Sequence, residues 1–167
     1  MSGLEIERKF LVRKKGGNYR EAAFSFSNIK QGYIPAENAT VRIRLRDDKA
    51  YLTIKSRSYN NGLTRYEFEQ EIPIADANEL LKLCKGGFVD KTRYLVQSGK
   101  HVFEVDEFHG DNEGLVVAEI ELSYEDEPFE KPSFIGPEVT GDRRFRNSTL
   151  ISCPYILWRD TMPEEYR

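Results

Sequence analysis

Charged residues stand at alternate positions in seven stretches of this sequence, and most stretches carry one sign. They are Glu5, Glu7 and Lys9; Arg42, Arg44 and Arg46; Lys55 and Arg57; Glu67, Glu69 and Glu71; Lys91 and Arg93; Glu104 and Asp106; Glu119 and Glu121. A spacing of two places such side chains on one face of a strand, about 7 Å apart, where like charges repel. A sheet built only to fold gains by mixing signs across its wet face. Carboxylate sets of this kind suit a hard divalent cation such as Mg2+ or Mn2+. Arg and Lys sets suit phosphate oxygens. A half-solvated sheet with cross-strand ion pairs accounts for any one stretch taken alone, but less well for seven together. Converging on one site, the two sets have the chemistry to hold a metal–polyphosphate complex.

The elements that must carry these residues read mainly as strands. Leu4 to Val12 alternates, with Leu4, Ile6 and Phe10 opposite Glu5, Glu7 and Lys9. Ile29 to Ile34 is a short strand. Thr40 to Arg46 sets Val41, Ile43 and Leu45 against its three arginines. The Asp47-Asp48-Lys49 turn returns the chain as a hairpin over Ala50 to Arg57. Asn60-Asn61-Gly62 is a second turn, leading into Leu63 to Ile72. Ala75 to Lys85 reads as a helix burying Leu80, Leu81 and Cys84, and Gly86-Gly87 stops it. Strands over about Val89 to Gln97, His101 to Phe108 and Leu115 to Tyr124 follow. Pro128, Pro132 and Pro137 then break the pattern, Asp142 to Ile151 reads as a short helix, and the tail after Pro154 as irregular. About eight hairpin-linked strands imply a mainly β, α+β chain, either a closed antiparallel barrel or a sandwich. Closure into a barrel would turn the charged faces inward. Crowded carboxylates would then titrate high, and metal plus polyanion would stabilise the fold.

The 167 residues suffice for one domain, 1–167, with no repeat or low-complexity segment. Charged residues make up 32% and the formal net charge is −3, which argues against nucleic-acid or membrane-surface binding. No apolar run approaches membrane-spanning length, and the early Glu5 and Glu7 are unlike a signal peptide. Cys84 and Cys153 lack metal-site spacing and are expected to be reduced, in a cytoplasmic protein. His101 and His109 are too isolated for a zinc site.

Glu5-Ile6-Glu7-Arg8-Lys9 matches the Glu-x-Glu-x-Lys signature of the CYTH superfamily, also called triphosphate tunnel metalloenzymes. Gln31-Gly32-Tyr33, Val41-Arg42-Ile43-Arg44, Leu52-Thr53-Ile54-Lys55, Glu67 to Glu71, Lys91-Thr92-Arg93-Tyr94, Glu104-Val105-Asp106 and Glu119-Ile120-Glu121 resemble the successive motifs of that family, over about residues 3–150. The resemblance is closest to the small bacterial triphosphatase-like members. It implies a closed eight-stranded antiparallel barrel with a few flanking helices, whose tunnel binds triphosphate. By position, it implies that Lys9, Arg42, Arg44, Lys55, Lys91 and Arg93 grip phosphate oxygens. It makes Glu119 and Glu121 holders of the principal Mg2+ or Mn2+, with Asp106 as a further ligand. Glu5 and Glu7 would serve a metal or orient the attacking water, and Tyr33 would pair with Lys9 to position that water. A basic residue near the C-terminal helix falls on Arg143 or Arg144.

The expected reaction is hydrolysis of a terminal phosphoanhydride, with inorganic triphosphate the preferred substrate and nucleoside or thiamine triphosphate next. Two alternatives stay open: a class IV-type adenylate cyclase using the same tunnel, and a non-catalytic polyphosphate or nucleotide sensor. Retention of the carboxylates argues against the sensor, which would need mainly the basic set. With few helices to cover the barrel exterior, a homodimer through an apolar outer face is a further expectation.

Overall fold

A computed structural model of the chain describes residues 2–167. Its strands are β1 (Ser2–Val12), β2 (Ser25–Ile34), β3 (Ala39–Arg46), β4 (Lys49–Ser56), β5 (Thr64–Ile72), β6 (Val89–Ser98), β7 (His101–Phe108), β8 (Val116–Leu122) and β9 (Ile135–Glu138). The helices are α1 (Tyr19–Ala22), α2 (Ile74–Leu81) and α3 (Asn147–Ser152). The sheet runs β5-β4-β3-β2-β6-β7-β8-β1-β9, and an additional β1–β5 pairing closes eight of these strands into an antiparallel barrel. The barrel, not the sandwich, is therefore the architecture.

The eleven residues of β1 make closure possible. Its first half pairs with β5, Leu4 opposite Tyr66, and its second half with β8, Lys9 opposite Glu119. Alternation along each strand then sorts the side chains. Charged residues face the lumen, while apolar residues face outward or gather at one end, so the lumen is not the hydrophobic core.

Three apolar clusters replace a single core. Phe10, Phe103, Val105 and Ile120 form one on the outer faces of β1, β7 and β8, covered by Phe134, Ile135 and the partly buried Tyr19 and Phe129. Ile43, Ala50, Leu52 and Ile72 form a second beneath α2, which contributes Ala77, Leu80 and Leu81 at one-face spacing. Gly32 lets α2 approach β2, because a Cβ there would lie 2.9 Å from the Cys84 sulfur. The third cluster sits where the lumen turns apolar, at Leu11, Val89, Phe108 and Val117, against Phe145, Leu150, Tyr155, Met162 and Tyr166.

This third cluster corrects the reading of the C-terminal tail as irregular. The tail forms three short 3-10 turns, Tyr155–Leu157, Arg159–Thr161 and Glu164–Tyr166, and buries Tyr155, Met162 and Tyr166. Each fully buried aromatic of this size is worth about 2–3 kcal/mol. The tail therefore seals the apolar end of the barrel. Two strands depart from the expected pattern. β9 contains Pro137 yet pairs with β1, at the sheet edge where a missing N–H is tolerated. β2 begins at Ser25, earlier than Ile29, because Ser25–Gln31 pairs with β6. Among the described residues, no helix is long and apolar enough to cross a membrane.

Candidate functional site

The inward faces enclose a cavity of about 550 Å³. Its mouth is formed by the β2–β3 and β4–β5 connections and by Arg143, Arg146, Asn147 and Ser148. Of the residues expected from the sequence, Glu7, Lys9, Tyr33, Arg42, Arg44, Lys55, Lys91, Arg93, Glu119 and Arg143 all line it. Glu5, Asp106 and Glu121 do not, and each has a different setting.

Asp106 is buried behind the cationic wall. Its carboxylate takes two hydrogen bonds from Arg93, at 2.7 and 2.8 Å, and one from Lys91 Nζ at 2.6 Å. Burial would raise its pKa, but Arg93 and then Lys91 outweigh it and hold the carboxyl low. With its oxygens engaged in this way, Asp106 organises the basic groups. Lys91 itself is pushed down to about 7, by burial first, against the pull of Asp106 and with Arg93 and Arg44 adding to the depression.

The other cations are crowded. Arg44 is lowered to about 9 by burial, then by Arg42 and Arg93. Because guanidinium does not release its proton in proteins, this depression measures a need for a counter-anion. Arg42 donates to Thr53 at 3.0 Å and to Glu69 at 3.3 Å. Its Nε is buried without a hydrogen-bond partner among the described residues. Tyr33 OH accepts from Gln31 Nε2 at 2.7 Å, and burial raises the phenol.

Glu5 is neutralised in place: Lys55 donates to it at 2.7 Å and Arg65 at 2.8 Å. Burial acts to raise its pKa, yet these cations hold it at about 2. Glu67, near the same lysine, is pushed up to about 7 by burial, with Lys55 opposing and Glu5 adding.

The remaining carboxylates are balanced only in part: Arg93 pairs with Glu104 and lies 3.9 Å from Glu119, which also pairs with Lys9, while Glu7 and Glu121 face each other. Register puts Glu7 opposite Glu121 and Glu104 opposite Glu119, like charge facing like charge on β1, β8 and β7. Such pairs destabilise a sheet unless a cation or a proton joins them. Glu7 is raised well above the carboxylate range by burial, then by Glu119 and Glu5. Glu119 lies well below it: burial opposes, but Lys9, 3.2 Å away, and Arg93 prevail, with a hydrogen bond from Glu7. Glu121 stands at a second opening beside Glu7, Glu104 and Glu119, and burial and its acidic neighbours raise it. Among the described residues no three acidic, His or Cys side chains are yet drawn together as a metal shell. The donor chemistry still fits a hard cation, because like-charge oxygen ligands face each other across adjacent strands.

The two arginines offered by the sequence differ in position. Arg143 lines the cavity, whereas Arg144 is held by Asp142 at 2.7 Å and stacks near Phe145 and Trp158. Arg65, Arg146 and Asn147 line the cavity without having been singled out from the sequence. Arg65 shares the face of Glu67 and Glu69, so the same two-residue period would have found it. Arg146 and Asn147 lie outside any strand and carry no periodic signal.

Residues 3–148 match the CYTH domain family model, and the chain belongs to that family. It is 48% identical over 160 residues to an inorganic triphosphatase of Acetivibrio thermocellus, covering 95% of this chain and 99% of the relative. It is 35% identical over 159 residues to an inorganic triphosphatase of Nitrosomonas europaea, covering 90% and 99%. A solved structure of an inorganic triphosphatase superposes with a TM-score of 0.61 at 30% identity, covering 88% of this chain and 93% of that one.

Proposed function

We propose that this protein hydrolyses a phosphoanhydride bond of inorganic triphosphate, using Mg2+ or Mn2+. The observation that carries this reading is the unbalanced lumen: a crowded guanidinium wall, in which Arg42 Nε has no hydrogen-bond partner among the described residues, faces Glu7 and Glu121, carboxylate against carboxylate. Each half lacks what a metal–triphosphate complex supplies. Both close relatives named above are inorganic triphosphatases, which supports the same substrate.

In this reading Arg42, Arg44, Lys55, Lys91, Arg93 and Arg143 bind the phosphate oxygens and offset charge on the leaving diphosphate. Glu7, Glu119 and Glu121 hold the cation, which when bound acts as a Lewis acid on phosphate oxygens. Lys9 and Tyr33 orient the attacking water. Glu5, committed to Lys55 and Arg65, positions those cations, and Asp106 does the same for Lys91 and Arg93. Water adds to the terminal phosphorus, the bridging P–O bond breaks, and orthophosphate and diphosphate leave.

Phosphorus NMR on triphosphate, ATP and thiamine triphosphate with either metal tests this reading. Orthophosphate from triphosphate, lost in Glu119→Ala/Glu121→Ala, supports it. Cyclic AMP from ATP would replace it with the cyclase reading, and binding without turnover with the sensor.

The reading also places the protein in a reducing, cytoplasmic setting, supported by the free Cys84 and Cys153. The exposed strip of Leu4, Tyr66 and Ile54 on the outside of β1, β5 and β4 supports a homodimer. Sedimentation showing only monomer at high concentration would overturn that assembly.

A further inference from the structure

Asn147, the first residue of α3, accepts two hydrogen bonds through one atom. Lys91 Nζ donates to its Oδ1 at 2.9 Å and Gln31 Nε2 at 3.2 Å. Neither orientation is arbitrary. Arg44, an obligate donor, fixes this chain of hydrogen bonds from its far end: its Nε donates to Gln31 Oε1 at 2.9 Å, so the Gln31 NH2 must face Tyr33 and Asn147. That NH2 in turn requires the Asn147 carbonyl, and the charged Lys91 donates to the same oxygen. What remains of Asn147 is its NH2 group, on a residue that lines the cavity beside Arg146 and Ser148.

Resting on the triphosphatase reading, we propose that Asn147 binds substrate directly: its side-chain NH2, turned into the cavity because its carbonyl is committed to Lys91 and Gln31, donates to a phosphate oxygen. The backbone just before it is engaged in a similar way, since Lys9 Nζ donates to the Phe145 carbonyl at 3.2 Å. Phe145 and Leu150 on either side are buried in the cluster that seals the barrel end. The amide is therefore held on packed structure and contributes a neutral donor among cations.

The test is calorimetric titration of inorganic triphosphate with chelator present, so that binding is read without turnover. A Lys91→Met background separates a direct contact from support of Lys91. If Asn147 only held Lys91 in place, adding Asn147→Ala would leave binding within about threefold of Lys91→Met alone; loss of a direct donor should instead weaken it by about 10-fold more. A doubly altered protein that binds as Lys91→Met does overturns the inference. A second readout is taken on the unaltered protein. The Asn147 side-chain amide pair in a proton–nitrogen NMR spectrum, assigned by its absence from Asn147→Asp, should move downfield on adding triphosphate. An unmoved pair overturns the inference. Failure of the unaltered protein to bind triphosphate at all would instead strike the reading on which it rests.

Discussion

Two charged corners of one barrel differ in a telling way. At Lys91, Arg93 and Asp106, opposite charges chelate each other, out of solvent and with short bonds. At Glu7 and Glu121, register sets carboxylate against carboxylate, whereas Glu104 and Glu119, also opposed, share Arg93. The first arrangement is complete in itself and belongs to the architecture. The second is complete only when a proton or a cation joins it. Within a lumen made wholly of charge, the imbalance, more than the charge itself, marks where a ligand belongs.

The comparison breaks most visibly by removing its paired half. Asp106→Ala leaves two buried cations without their anion, and should cost about 3–5 kcal/mol of stability, a fall in Tm of roughly 10 °C for a chain of this size. An unchanged melt would mean that this corner is not structural. The unpaired half should respond oppositely. Glu121→Gln relieves repulsion from Glu5 and Glu104, so Tm should hold or rise, while turnover of triphosphate falls about 100-fold. A destabilised but active variant would reverse the assignment of the two corners.

Supplying the missing charges is the next test. Metal plus triphosphate at about 100 times Kd should add about 2.7 kcal/mol, a rise in Tm of about 5–10 °C. Magnesium alone or triphosphate alone should give less, because each satisfies one block only. A melt unmoved by both together would count against a lumen poised for ligand.

The smallest effect is in pH. Lys91 is held down to about 7, so it is charged below that value and neutral above it. A bound polyanion favours the charged form and raises this pKa. Binding therefore takes up protons, and metal-free affinity for triphosphate should weaken as pH rises through about 7, by at most tenfold per unit. Lys91→Met should flatten that slope. Affinity that strengthens over the same range would contradict the depressed lysine.

Much of the site was legible because its signal is local. A period of two is a property of strand geometry, and it alone assigned Arg42, Arg44, Lys55, Arg93, Glu7 and Glu119 to one face. The same period would have delivered Arg65, one alternate position before Glu67. Alternation leaves barrel and sandwich open, since it does not distinguish closure from stacking, and it was the family resemblance that implied the closed barrel. The tail was unreadable because Tyr155, Met162 and Tyr166 follow no period. They are buried against Leu11, Phe108 and Val117 of three separate strands.

The sequence by itself therefore determined the sign carried by each strand and the chemistry those signs could serve. Tertiary structure decided which charges neutralise each other and which are left over. Asp106 and Glu121 look alike in sequence, each an acid on an alternating strand, yet one is chelated and the other faces Glu7. Arg143 and Arg144 are adjacent, yet one reaches the cavity and the other is held by Asp142. The reason is that pairing depends on register and closure between residues far apart in the chain. Gln31 and Asn147 meet across 116 positions, and no local periodicity encodes such a meeting.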